Sequence, residues 1–214
     1  MTALLVHKRL DDPIAHRNGS IITVAQYLAD VQFCADKLPD AEYVLLACQD
    51  RYAFAVGFGA ALKRGQISLL PSTHTEELIA QLSHTYENTY CLTDEADCSI
   101  KLPQTNITKW LLQAQPLTEL AIPHFPIEQV AALVFTSGST GLPVAHKKTW
   151  GKLVINVQSE GKRLGVAPGS GYTIIGTVPP QHMCGFESTV LIAVQDACVF
   201  ESSKPFYPAD IGHV

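Results

Sequence analysis

Residues 136–141, Thr-Ser-Gly-Ser-Thr-Gly, gather small side chains and hydroxyls between an apolar run at 130–135 and a helical pattern at 149–164. Glycine and serine let successive backbone N–H groups converge on one anion, and hydroxyls add donors toward phosphate oxygens. The chemistry on offer is the holding of a phosphate group by Thr136, Ser137, Gly138, Ser139, Thr140 and Gly141. The same composition also fits a flexible surface loop, and the residue types alone leave both readings open. A Walker loop is excluded, because no Gly-Lys-Ser/Thr follows at the required spacing. Neither Ser137 nor Ser139 lies in the Gly-x-Ser-x-Gly elbow of a hydrolase nucleophile.

A second candidate is His182, in Pro179-Pro180-Gln181-His182-Met183-Cys184-Gly185. Two prolines and a glycine mark a specialised turn. His182 reads there either as a pocket residue or as a satisfied histidine in a strand-to-helix turn. His74, His84 and His124 have no acidic or cysteine partner at ligand spacing and are assigned no role. In Asp50-Arg51, Asp50 is expected to cap a helix and Arg51 to face solvent or pair locally. The six cysteines form no Cys-x-x-Cys pair and no zinc-spaced cluster with histidine. They read as small core residues, and no metal ligands are assigned.

The elements that must position these residues come in two groups. Apolar runs at 43–47, 66–70 and 89–92 alternate with helical patterns at 50–64 and 73–84. Near-continuous apolar runs suit parallel strands covered on both faces, and the alternation is that of a βαβαβ unit. Gly57 and Gly59 admit close packing of the first helix, and Thr73-x-x-Glu76 has the pattern of a capping box for the second. Residues 94–129 carry four prolines and only a short ordered-looking stretch at 107–112. A second alternation follows, with strands expected at 130–135, 172–178 and 197–200 and helices at 149–164 and 185–195. The organisation expected is a first α/β lobe at 1–93, a Pro-rich connector at 94–129 and a second α/β lobe at 130–214. The fold class is α/β, two stacked βαβ lobes with mainly parallel sheets.

Composition narrows the function classes. With 47% hydrophobic residues in 214, the chain has ample core material and is not disordered. Fifteen Lys+Arg against twenty Asp+Glu give a net charge of −5, without the basic footprint of a nucleic-acid binder. The longest apolar stretch, 53–62, is too short for a membrane span, and the N-terminus lacks a signal-peptide core. A cytoplasmic location is expected.

The segment Phe135 to Pro143, Phe-Thr-Ser-Gly-Ser-Thr-Gly-Leu-Pro, resembles the phosphate-loop signature of the adenylate-forming superfamily. That superfamily includes acyl- and aryl-CoA synthetases, luciferases and peptide-synthetase adenylation domains. The 179–185 segment is similar to its Pro-x-x-His-x-x-Gly element beside the acyl pocket, and the first alternation fits its N-terminal subdomain. The resemblance implies a two-step ligase. A carboxylic acid attacks the α-phosphate of ATP, used with Mg2+, to give an acyl-adenylate and pyrophosphate. The thiol of CoA, or of a carrier protein's phosphopantetheine, then displaces AMP. Thr136 to Gly141 would hold the β- and γ-phosphates, and His182 would lie against acyl group and nucleotide, shaping the pocket more than transferring protons. The family places lysine directly after the motif proline, where this chain has Val144. Lys148, downstream in His146-Lys147-Lys148, is the candidate for the missing cation; solvated charges at a helix entrance are the other reading.

The superfamily's later elements, with the lid and its catalytic lysine, are absent from the 214 residues, and 206–211 looks like a helix start. A fragment of a longer ligase is therefore expected, inactive alone, whose incomplete sheet exposes apolar area and invites self-association. The competing expectation is a short, catalytically inactive homologue serving as an interaction or split-enzyme module.

Overall fold

The computed structural model describes residues 1–137, 143–166 and 168–205, together with Asp210. After a two-residue β1 (Thr2–Ala3), β2 (Pro13–Arg17) turns into β3 (Ser20–Thr23) through Asn18 and Gly19, at φ 51° and 72°. An Asn-Gly pair suits a two-residue hairpin turn because both central positions need positive φ. Thr23 then caps α1 (Val24–Ala35), its hydroxyl accepting from the Gln26 N–H.

The βαβαβ unit is present as β4 (Tyr43–Leu46), α2 (Arg51–Lys63), β5 (Ile67–Leu70), α3 (Glu76–Thr85) and β6 (Thr89–Thr93). Asp50 caps α2 by accepting from the Ala53 N–H. The cap of α3 is Thr75 rather than Thr73, its hydroxyl taking the Leu78 N–H. Helix α2 is buried on nearly every side. A Cβ on Gly57 would stand 2.8 Å from Leu92 of the sheet, and one on Gly59 would stand 3.1 Å from Val31 of α1. The two glycines thus let α2 sit tightly between the sheet and α1.

The chain continues through β7 (Gln104–Asn106), a 3-10 turn (Ile107–Lys109), β8 (His124–Phe125), β9 (Val130–Ser137), β10 (Pro143–Thr149), α4 (Trp150–Leu164) and β11 (Thr173–Ile174). One winding segment then runs from α5 (Met183–Gly185) through a π-helix (Phe186–Leu191) into α6 (Ile192–Gln195), before β12 (Val199–Glu201). The helix start expected at 206–211 lies, apart from Asp210, outside the described residues.

The strands form mainly parallel sheets. The larger has six strands in the order β10-β9-β5-β4-β6-β7, with only β10 antiparallel to its neighbour. The second has the order β11-β12-β2-β3, with β2 and β3 antiparallel. Leu78, Ile79 and Leu82 of α3 pack with Leu45, Leu69 and Leu133 on one face of the larger sheet. The main core contains Val31, Phe54, Phe58, Trp150 and Phe186, drawn from α1, α2, α4 and the π-helix.

These pairings do not divide the chain at 94–129. Strand β9 lies parallel to β5, with Ala132 opposite Ser68, and β12 lies parallel to β2, with Phe200 opposite Ala15. Within the expected connector, β7 joins the larger sheet beside β6, β8 pairs antiparallel with β1 in a separate two-stranded sheet, and Ile100, Ile107, Leu111 and Phe125 are buried. The layers are built by long-range strand pairing, so the six- and four-stranded sheets both take strands from the two expected lobes.

Behind α6, the Asp196 side chain is 5% exposed, and its Oδ2 is buried without a hydrogen-bond partner. Burial pushes its carboxyl up from the ordinary value. The folded state therefore holds this proton more tightly than the unfolded chain does. Its contribution is full at low pH and falls as pH climbs from about 3.9 through the raised folded value. Asp196→Asn is expected to raise stability at neutral pH and to flatten the melting temperature across that window, which thermal denaturation from about pH 3.5 to 7.5 measures.

Candidate functional site

Strand β9 carries the first two residues of the hydroxyl-rich motif to the carboxyl end of the larger sheet. Thr136 and Ser137 are its last residues. Gly138, Ser139, Thr140, Gly141 and Leu142 lie outside the described residues. The chain returns as β10, with Pro143 opposite Ser137 and Val144 opposite Thr136. The element after the motif is therefore an antiparallel strand, not a helix; α4 begins only at Trp150. The Thr136 hydroxyl lies 3.0 Å from the His146 Nε2 on the neighbouring strand.

Lys148 is set back from this tip. It pairs with Ala132, five residues along β10 from Pro143, about 16 Å at roughly 3.3 Å per residue. Lys148 lies within electrostatic reach of Glu187 on the π-helix, whose Oε1 is buried without a hydrogen-bond partner. Burial pushes the Glu187 carboxyl up, Lys148 opposes the shift, and Glu160 adds to it. Lys148→Ala is expected to raise the Glu187 value further, which carboxyl 13C titration of the two proteins would measure.

The Pro-x-x-His-x-x-Gly segment has a direct physical basis. The His182 N–H donates to the Pro179 carbonyl at 3.1 Å, and the Phe186 N–H donates to the His182 carbonyl at 2.8 Å. The chain folds back so closely that a Cβ on Gly185 would stand 2.0 Å from the Pro179 oxygen, which only glycine allows. His182 is the residue before α5, half-buried, and its side chain makes no cap to the helix.

His74, to which the sequence reading assigns no role, lies within electrostatic reach of His182. It follows β5, the strand beside β9, and is followed by α3. Helices α2 and α3 leave β4 and β5 toward opposite faces of the sheet, and such a switch point leaves a crevice at the strands' carboxyl ends. The His74 Nε2 is buried without a hydrogen-bond partner. Burial, and secondarily the nearby His182, push the imidazole below its ordinary value. Its only sequence signal is its place just after an apolar strand run.

Arg51 is the other departure. It is fully buried, and its guanidinium donates to the carbonyls of Gly176 (2.5 Å), Val178 (2.7 Å) and Ser203. Arg17, not Arg51, pairs with Asp50, at 3.1 Å. Cys34, Cys48, Cys91 and Cys198 are buried free thiols, Cys98 is half-buried and Cys184 exposed. Among the described residues no three His, Cys, Asp or Glu side chains cluster as a metal site, and no helix is long and apolar enough to cross a membrane.

No family model matches the chain. A 4-coumarate–CoA ligase of Rhodobacter capsulatus is 37% identical over 65 residues, 30% of this chain and 17% of that protein. Solved structures agree over far more of the chain. O-succinylbenzoate coenzyme A synthetase of Bacillus subtilis, in complex with AMP, has a TM-score of 0.75 at 18% identity, over 95% of this chain and 55% of its own. The same enzyme with ATP and magnesium ion gives 0.76 at 18% identity, over 95% and 44%. ATP-bound MatB from Rhodopseudomonas palustris gives 0.76 at 17% identity, over 95% and 45%. The chain spans about half the length of these structures. In fold, the chain is similar to about half of each of these solved synthetase and ligase structures.

Proposed function

We propose that this chain forms the phosphate-holding and acyl-facing part of an ATP-dependent carboxylate–thiol ligase. What supports the proposal is that β9 ends in Thr136-Ser137 at the carboxyl end of the larger sheet, and that His74, which follows the neighbouring strand β5, lies within electrostatic reach of His182. In the reaction, a carboxylate oxygen bonds to the α-phosphorus of ATP, and the bond to the pyrophosphate oxygen breaks. A thiol of CoA or of a carrier-protein phosphopantetheine then attacks the acyl carbon, and AMP leaves.

The hydroxyls and backbone amides of Thr136, Ser137, Gly138, Ser139, Thr140 and Gly141 hold the β- and γ-phosphates. They offset the negative charge that builds on the departing pyrophosphate. His182 bounds the acyl group and the nucleotide. Lys148 is the chain's candidate for the cation missing at Val144, although its position along β10 favours the Glu187 carboxylate as its partner. Magnesium enters with the nucleotide; the described residues offer no three-ligand cluster for it, and its ligands are not assigned to this chain.

The 214-residue chain is expected to bind MgATP without sustained turnover, because it spans about half the length of the neighbouring ligases. Pyrophosphate exchange with MgATP and a panel of aryl and fatty carboxylates tests this. Robust exchange would refute the expected inactivity. A chain that binds no nucleotide at all would refute the phosphate role and favour an interaction module.

A further inference from the structure

Arg51 opens α2 with no exposed surface, and the acceptors of its three guanidinium bonds are all backbone carbonyls. Two of them, Gly176 and Val178, lie in the segment that leaves β11. The third, Ser203, follows β12, and the Arg51 N–H itself donates to the Ser202 carbonyl at 3.1 Å. A planar fork with five donors suits such a task, since one rigid group can bridge several fixed acceptors. The fit around it is close. A Cβ on Gly176 would stand 2.4 Å from Thr189 and 2.8 Å from the Arg51 Nη2.

We propose that Arg51 is a positioning residue for His182, locking the approach of residues 176–178 so that the turn beyond them presents the imidazole at the carboxyl edge of the larger sheet. The chain of contacts is short. Val178, held by Arg51, is followed directly by Pro179, whose carbonyl takes the His182 N–H and closes against Gly185. On the far side of the turn, Phe186 packs against Phe54 and Phe58 of the same helix, with centroids 5.8 and 4.8 Å apart. Helix α2 therefore grips the turn at both ends, by a polar fork before it and an aromatic cluster after it. Among the described residues the His182 side chain makes no hydrogen bond, so the backbone that Arg51 holds sets its place. The role in catalysis rests on the proposed placing of His182 against the acyl group and nucleotide.

The test is a histidine 13Cε1 NMR titration of the chain and of Arg51→Lys, which keeps the charge and loses the fork. The His182 signal is expected to shift, and the His74 titration to move up as the influence of His182 weakens, while His84 and His124 stay unchanged. A folded Arg51→Lys with His182 and His74 signals identical to the wild type would overturn the proposal. Should that variant not fold, Gly176→Ala, which disturbs the other end of the link, must shift the same two signals. In the wild type, the Arg51 Nη protons must exchange slowly at low temperature; exchange as fast as that of the exposed Arg9 would overturn the link. No nucleotide is needed, so failure of MgATP binding would count against the proposed function and leave this outcome readable.

Discussion

Gly185→Ala is expected to destabilise the protein by about 3 kcal/mol and to displace His182 from its site. The added methyl would meet the Pro179 carbonyl oxygen at 2.0 Å and its carbon at 2.7 Å, with the Val178 oxygen at 2.9 Å. These are backbone atoms of a turn closed by the His182 N–H and fixed at Val178 by Arg51, so they cannot rotate away as a side-chain end would. Either the 179–182 turn opens or α5 moves out, and His182 is carried along in both cases. Gly165→Ala is the matched control. Gly165 ends α4 at φ 72° with nothing within 4 Å of a Cβ, so only the left-handed conformation penalises alanine, by about 1 kcal/mol. Denaturant melts of both variants should separate the two costs, and the histidine NMR signals should shift at His182 only in Gly185→Ala.

Asp30→Ala is expected to cost about 3–5 kcal/mol, or a melting-temperature loss on the order of 10 °C. Asp30 is fully buried in α1 and accepts from the Tyr52 hydroxyl at 2.8 Å, the Leu112 N–H at 3.1 Å and the Gln26 amide at 2.9 Å. Burial pushes its carboxyl up, and the Tyr52, Leu112 and Gln26 bonds restrain that shift. Truncation would leave the Tyr52 hydroxyl without its partner in the core and release Leu112, which stands at φ 59°. The 107–112 segment is then expected to loosen from α1, detectable as faster amide exchange at Leu112. Tyr52→Phe removes only one bond and should cost about 1 kcal/mol.

The parts of the fold legible in the sequence are those written locally. Apolar runs marked β4, β5, β6 and β9, Asp50 marked the start of α2, and three- and four-residue spacings marked α4. The β2–β3 hairpin also has a local signal, Asn18-Gly19, which a search for apolar runs passes over. Strand β10 is harder, because His146, Lys147 and Lys148 look like helix-entrance charges. It is an edge strand, where lysines discourage further pairing, and Pro143 is admissible as its first residue. The joining of the two sequence halves was not legible, since Ser68 meets Ala132 and Ala15 meets Phe200 only through long-range pairing.

The candidate site divides in the same way. Its motifs are visible as residue types, and Gly185 explains itself once the turn is seen. Arg51 reads in the sequence as facing solvent or pairing locally because the carbonyls that hold it lie more than a hundred residues away in sequence. His74 gained significance only through the neighbourhood of His182, which no spacing reveals.

The most direct measurement is MgATP binding to the 214-residue chain by 31P NMR, compared with Thr136→Val and His182→Ala. The β- and γ-phosphate signals are expected to shift with the wild type, Thr136→Val to weaken this binding about tenfold, the equivalent of about 1.4 kcal/mol, and His182→Ala to spare the phosphate contacts more than Thr136→Val does. Unshifted phosphate signals with the wild type, or equal binding by Thr136→Val, would contradict the proposed phosphate role.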